Sequence, residues 1–259
     1  MKRILLVDAN SIINRAYYGM AHSSALTNSK GEAVGAVYTF MVMLLKQLER
    51  QDYDALACCF DRKEKTFRHK RYDGYKAQRK AADPELIAQI GILKDLLEAS
   101  GVSVVSLAGY EADDLIGTLA RQAHEAGLAV DIYSGDRDDF QLLKAGVEQI
   151  YPSRRGDITI SVENLGEHFY GLRADQVVDF KAIMGDSSDN IPGIKGLGEK
   201  SAQALLNEYD NLDAVYDSLD EIKGAMRKKL DSGRELAYLS RELATIDCDV
   251  PLDFGIDDL

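Results

Sequence analysis

Ile4-Leu5-Leu6-Val7-Asp8 sets four consecutive apolar residues against a carboxylate. A short apolar run of this kind reads as a strand buried on both faces of a parallel sheet. Three further runs repeat it: Ala55 to Phe60, Val102 to Leu107 and Ala129 to Tyr133. Apolar residues at helical spacing fill the intervals, over Val37 to Leu48, Leu86 to Leu97 and Leu115 to Ala123. Strands alternating with helices predict an α/β domain with a mostly parallel sheet. Beyond about residue 170 the strand pattern stops and a helical one takes over, including Ser201 to Tyr209. Two domains are therefore expected, 1–170 and 171–259.

The ends of the strand runs share a chemistry. Asp8 follows the first run and Asp61 the second, while Asp136 follows the fourth after Ser134-Gly135. Open α/β sheets place their crevice at the carboxyl ends of the strands. One aspartate there is ordinary turn chemistry, but three at one edge are not. Gly109-Tyr110-Glu111-Ala112-Asp113-Asp114 opens the helix after the third run and belongs to the same edge. A single acid caps a helix and complements its dipole. Three within four residues repel one another and call for a cation. Asp138 and Asp139 follow Asp136 after Arg137, and Asp186 and Asp189 stand three apart, one helical turn on a common face.

Net charge is −12, which by itself disfavours a nucleic-acid partner. The distribution reverses that reading. From Arg62 to Lys80, nine basic residues face two acids, a net of +7 that leaves −19 for the remainder. With no apolar run to anchor it, this segment is expected to be the most mobile internal part of the free protein, ordering on DNA. Further on, Gly193, Gly196 and Gly198 permit tight turns ahead of a helix, a way of presenting backbone N–H groups to phosphate.

Carboxylates without histidine or cysteine partners select magnesium or manganese over zinc. His22, His69, His124 and His168 show no zinc spacing, and no cysteine pair is spaced C-x-x-C. The acids exceed what one magnesium ion needs, so two ions are inferred. Two metals roughly 4 Å apart stabilise the attacking and leaving oxygens of a phosphoryl displacement. A phosphatase for small phosphates would explain the acids but not the basic segment. A non-catalytic DNA-binding module would explain the basic segment with the acids acting as caps, and predicts no metal binding. No P-loop occurs. Three cysteines make no disulfide framework and suit a reducing, cytoplasmic compartment. The longest apolar stretch, Val37 to Leu45, is too short to span a bilayer.

In combination, several segments resemble the 5′-nuclease, or flap-endonuclease, family found at the N-terminus of bacterial DNA polymerase I. They are LLVDANS at 5–11, LTNSKGE at 26–32, AVYTF at 36–40, FDRKEKTFRHKRY at 60–72, YKAQR at 75–79, GYEADD at 109–114, SGDRD at 134–138 and MGDSSDNIPGIKGLGEK at 184–200. The resemblance implies a PIN-like α/β core with a helical arch near 62–90 and a small domain carrying a helix–hairpin–helix motif. It implies a metal-dependent 5′–3′ exonuclease and flap endonuclease of replication and repair, acting on 5′ ends, flaps and nicked or gapped duplex. A polymerase domain in the same full-length chain is the expected partner.

Residue by residue, Asp8, Asp61, Glu111, Asp113 and Asp114 look like ligands of a first magnesium or manganese ion. Asp136, Asp138, Asp186 and Asp189 look like the second set. Lys76 and Arg79 match arch residues that reach the scissile phosphate, with Tyr75 beside them as a ring that stacks on a base. Arg15, Arg68, Gly193, Lys195, Gly196, Gly198 and Lys200 are the expected DNA contacts, with a monovalent cation such as K+ at the hairpin. Two departures lie at the base of the arch. The family's prolines after YKxxR are replaced by Ala81-Ala82-Asp83-Pro84, and its Ile-Pro by Ile90-Gly91.

Overall fold

The computed structural model describes residues 2–19 and 26–259; His22 falls outside them. β1 (Arg3–Asp8) leads into α1 (Ala9–Gly19), α2 (Gly35–Arg50) and β2 (Ala55–Cys59). Next come α3 (Phe67–Arg71), α4 (Pro84–Ala99), β3 (Ser103–Val105), α5 (Ala112–Glu125) and β4 (Ala129–Tyr133). β5 (Val147–Tyr151) and β6 (Ile158–Ile160) complete the sheet. The helical part holds α6 (Leu165–His168), α7 (Val177–Met184), α8 (Glu199–Tyr209), α9 (Leu212–Asp217) and α10 (Gly224–Ala244).

The sheet runs β3-β2-β1-β4-β5-β6, parallel except for β5 against β6. All four expected strands are present, although β3 is three residues rather than six. Val102 and Leu107 pack at its flanks without pairing. β1 is the middle of the sheet, and alternation along it divides the core. Leu5 and Val7 pack beneath α1, α2 and α4, whereas Ile4 and Leu6 pack against α5. From β1 the chain crosses to β2 and β3 on one side, then to β4 and β5 on the other. The β1–β4 boundary is thus the topological switch point, where open α/β sheets form their crevice.

A separate apolar cluster organises the helical part around Val177, Phe180, Leu206, Leu212 and Leu230. Phe140, Leu143 and Ile160 from the sheet side join it. The tail after α10 returns to the sheet, where Val250 packs with Leu115 and Leu119 of α5. The shifted proline has a simple local role: Pro84 starts α4, and Asp83 caps it by accepting from the Glu85 N–H at 2.9 Å.

The basic segment contains a short helix, Phe67–Arg71, and is anchored at several points, which corrects the expectation that nothing in it could hold it to the body. Its cations pair with acids distant in sequence: Arg68 with Asp114, Arg71 with Glu242, Lys76 with Glu111 and Arg79 with Asp189. Tyr75 supplies apolar anchorage, buried with Ile191, Leu243 and Ala244. Local composition was a poor guide because the counter-charges come from elsewhere in the fold.

Candidate active site

Asp8, Asp61, Asp113, Asp136 and Asp189 line one crevice of about 450 Å³, with Lys76, Arg79 and Lys80 on the same wall. Asp8 ends β1 and is almost wholly buried; its oxygens accept from the Ser11 N–H at 2.9 Å and the Ser134 hydroxyl at 3.0 Å. Burial is the main cause that pushes its carboxyl up to about 7, with Asp61 and Asp136 adding repulsion against those two hydrogen bonds. Asp61 accepts from the Ala112 N–H at 2.8 Å, and burial raises its carboxyl as well. Asp113 is raised well above the usual carboxylate range, by burial and then by Asp139, Asp8 and Asp136.

A second group of acids is already neutralised by the protein. Glu111 accepts from Lys76 Nζ at 2.7 Å and from the Tyr75 hydroxyl at 2.9 Å. Asp189 pairs with Arg79 and lies 3.8 Å from Lys76 Nζ. Lys181 bridges Asp138 and Asp186, with its ammonium 2.6 Å from Asp186. Burial also pushes Asp138 up to about 7, against the pull of Lys181. Burial opposes ionisation of Asp186 too, but Lys181 and Ser188 overcome it and hold its carboxyl at about 2.

Several sequence expectations change here. Asp114 is fully buried, and its two oxygens accept from Arg68 Nη1 and Nη2, the Glu111 N–H and the Asp247 N–H, at 2.7–2.9 Å. Its lone pairs are filled by donors, so in this structure it is a structural anion and not an open metal ligand. Arg68 is 3% exposed and consumed by that contact, which removes it from the DNA-facing surface. The repulsion among Glu111, Asp113 and Asp114 is relieved in part by Arg68 and Lys76. Tyr75 is 3% exposed, with its hydroxyl on Glu111 and Asp189, so its ring is not available to stack on a base. Asp186 and Asp189 share no helical face; they stand at two places in the turn between α7 and Ile191, one facing Lys181 and the other Arg79.

At the hairpin, Gly193 is buried and its N–H donates to Ser240 Oγ at 2.9 Å, so it does not face a phosphate. A Cβ there would meet the Gly185 nitrogen at 2.3 Å, and its φ is +60°, so the glycine serves packing and backbone shape. Lys195, Gly196, Gly198 and Lys200 are exposed around the start of α8, and Arg15 is exposed on α1. The Gly196 carbonyl accepts from Lys229 Nζ at 2.8 Å.

Two residues of this region carry no role in the sequence reading. Lys181 had a faint signal, a lysine in the stretch Val177 to Ile183, which is apolar apart from it and Asp179. Asp139 was one more acid after Asp138; only the fold shows it fully buried, with one oxygen each of Asp8, Asp113 and Asp139 within 4.8 Å of one another. An all-carboxylate donor set with no protein cation among its three members fits a hard divalent ion.

The comparisons agree along the whole chain. Residues 3–170 match the family model "5'-3' exonuclease, N-terminal resolvase-like domain", and residues 172–259 match "5'-3' exonuclease, C-terminal SAM fold". The chain belongs to the 5′–3′ exonuclease family. It is 42% identical to DNA polymerase I of Caldicellulosiruptor bescii, over 99% of this chain and 30% of that protein. It is 38% identical to DNA polymerase I of Bacillus subtilis, over 100% of this chain and 29% of that one. The chain thus spans about 30% of the length of these relatives. Among solved structures, the zinc-bound T5 5′-exonuclease superposes with a TM-score of 0.77 at 22% identity, covering 95% of this chain and 90% of that one. Human GEN1 in complex with Holliday junction DNA superposes with a TM-score of 0.61 at 15% identity, covering 98% of this chain and 63% of that one. Both show the same fold.

Proposed function

We propose that this exonuclease domain is a structure-specific 5′ nuclease that hydrolyses DNA phosphodiester bonds at 5′ ends, flaps and nicked or gapped duplex. One observation carries the reading: five carboxylates line a single crevice at the sheet's switch point, and three cationic side chains share its wall. Asp8, Asp61, Glu111, Asp113 and Asp136 would hold one magnesium or manganese ion. Asp138, Asp186 and Asp189 would hold a second, in competition with Lys181. The ions supply Lewis-acid stabilisation to the charge developing on the attacking and leaving oxygens.

The protein's own groups do the rest. Lys76 and Arg79 line the crevice, which supports a role in meeting phosphate oxygens as charge develops there. Lys195, Gly196, Gly198 and Lys200, with Arg15, hold the duplex backbone without reading sequence. A monovalent cation such as K+ at the hairpin belongs to this reading, with the Lys229 ammonium already on one of its carbonyls. Water attacks phosphorus and the 3′ oxygen leaves, so the ends are 5′-phosphate and 3′-hydroxyl.

The division into a nuclease core and a helical DNA-binding part near residue 170, and a polymerase domain elsewhere in the full-length chain, complete the proposal. The three free cysteines favour a reducing, cytoplasmic setting; no helix among the described residues is long and apolar enough to cross a membrane. The test is cleavage of an end-labelled 5′-flap DNA in magnesium, with the product ends identified. Cleavage that survives chelation, or products bearing 3′-phosphate, would overturn the reading.

A further inference from the structure

Asp139 begins no strand and caps no helix; it lies in the 3-10 turn Asp138–Leu142, outside the residues that line the crevice. It is 0% exposed and does not line the crevice, while Asp8 and Asp113 do. Neither of its oxygens has a hydrogen-bond donor among the described residues. The Ser134 hydroxyl next to it donates to Asp8 instead. The neighbouring acids are better provided: Asp114 has Arg68, Glu111 has Lys76, Asp189 has Arg79, and Asp138 shares Lys181 with Asp186. A buried carboxylate without donor or counter-charge is costly, and folded proteins rarely retain one without use.

The geometry points to Asp139 as a third ligand that, with Asp8 and Asp113, grips the first divalent cation. This rests on the metal-dependent reading above and goes beyond it, because Asp139 lies outside the eight acids assigned there to the two ions. Two oxygens on one magnesium or manganese ion stand about 3–4 Å apart, given bond lengths near 2.1 Å. The three ligand atoms, mutually within 4.8 Å, need only a small contraction to reach that spacing. The gain is affinity: a buried carboxylate added to the crevice acids Asp8 and Asp113 attracts a divalent ion more strongly than those two alone. The cost falls on the ion-free protein, which must keep a concentration of like charge buried.

The experiment uses the whole chain without DNA. Manganese binding is followed by calorimetry, and thermal unfolding is measured with chelator and with manganese. Wild type is compared with Asp139→Asn, Asp139→Leu and Asp113→Asn. Both Asp139 variants are expected to unfold at higher temperature than wild type in chelator. In manganese they should show a smaller stabilisation. Their loss of affinity at the tighter site should be at least the roughly 10- to 100-fold that removal of an outer-shell partner costs. Unchanged manganese affinity in both Asp139 variants, beside a large loss in Asp113→Asn, would remove Asp139 from the ligand set and leave the nuclease reading standing. Wild-type affinity in all three variants would overturn both.

Discussion

Arg68 and Asp114 form a two-point ion pair, Nη1 to Oδ2 at 2.8 Å and Nη2 to Oδ1 at 2.7 Å, with both side chains shut off from solvent. Arg68 also donates to the carbonyls of Leu243 at 3.0 Å and Thr245 at 2.6 Å. The pair therefore ties the basic segment and the first turn of α5 to the end of α10. Breaking one side of a buried pair leaves the other charge uncompensated and costs about 3–5 kcal/mol. Arg68→Ala and Asp114→Ala should each lose that much in urea unfolding. Joint replacement by Met and Leu should recover only part of it, because the Glu111 and Asp247 N–H groups and the Leu243 and Thr245 carbonyls lose their partners. Single losses below about 1 kcal/mol, the range of exposed pairs, would deny the pair this role.

Asp113 differs from Asp114 in both exposure and partners, and the two should separate experimentally. Asp113→Asn should remove most turnover while DNA binding in calcium persists, because an amide cannot supply the anionic oxygen that a divalent ion requires. Asp114→Asn should chiefly lower stability and change manganese affinity less. Comparable affinity losses in the two variants would return Asp114 to the ligand set.

Asp8 and Asp138 both have carboxyls pushed up to about 7 by burial in the metal-free protein. A carboxyl raised in the folded state binds its proton more tightly there than in the unfolded chain. Folding is then favoured at low pH, and that contribution is lost as pH rises from the ordinary carboxylate range near 4 toward 7. Thermal unfolding in chelator should accordingly fall across pH 4 to 7, on top of any general acid effect. Manganese should abolish the fall by replacing the protons. A chelated protein whose unfolding temperature rises steadily through this window would contradict the assignment.

Lys76 and Arg79 sit on Glu111 and Asp189 at the crevice wall, and Lys76 adopts a φ of +53°. These ion pairs hold both cations at the crevice. Alanine at either position should slow single-turnover cleavage by about 2.7–4 kcal/mol in barrier, the range for a donor directed at developing charge. DNA binding should weaken less. Equal losses in cleavage and binding would make them general phosphate contacts.

The hairpin glycines should respond differently to substitution. Gly193→Ala forces a Cβ against the Gly185 backbone and should destabilise the helical part as a whole. Gly196 is exposed, its φ is +81°, and a Cβ there meets only the flexible end of Lys229 at 3.3 Å. Gly196→Val should therefore weaken duplex binding, with manganese affinity intact. Equal thermal destabilisation by the two substitutions would show that both glycines serve packing.

Strand and helix alternation, the edge on which the acids lie, and the clustering of carboxylates there were all legible in the chain. The reason is local: Asp8 and Asp61 adjoin apolar runs whose direction a parallel sheet dictates, and Glu111 and Asp113 open a periodic helix. The short strands β5, of five residues, and β6, of three, carried too little pattern to be read. Tertiary structure alone decided which acids have partners. Asp113 and Asp114 are adjacent in sequence, yet successive helical positions point about 100° apart, so one meets the crevice and the other Arg68. Asp138 and Asp139 divide in the same way, one toward Lys181 and the other into the buried cluster. The +7 segment was read as unanchored for the same reason: its counter-charges, Asp114, Glu242, Glu111 and Asp189, lie 35 or more residues away and reach it only when the chain is folded.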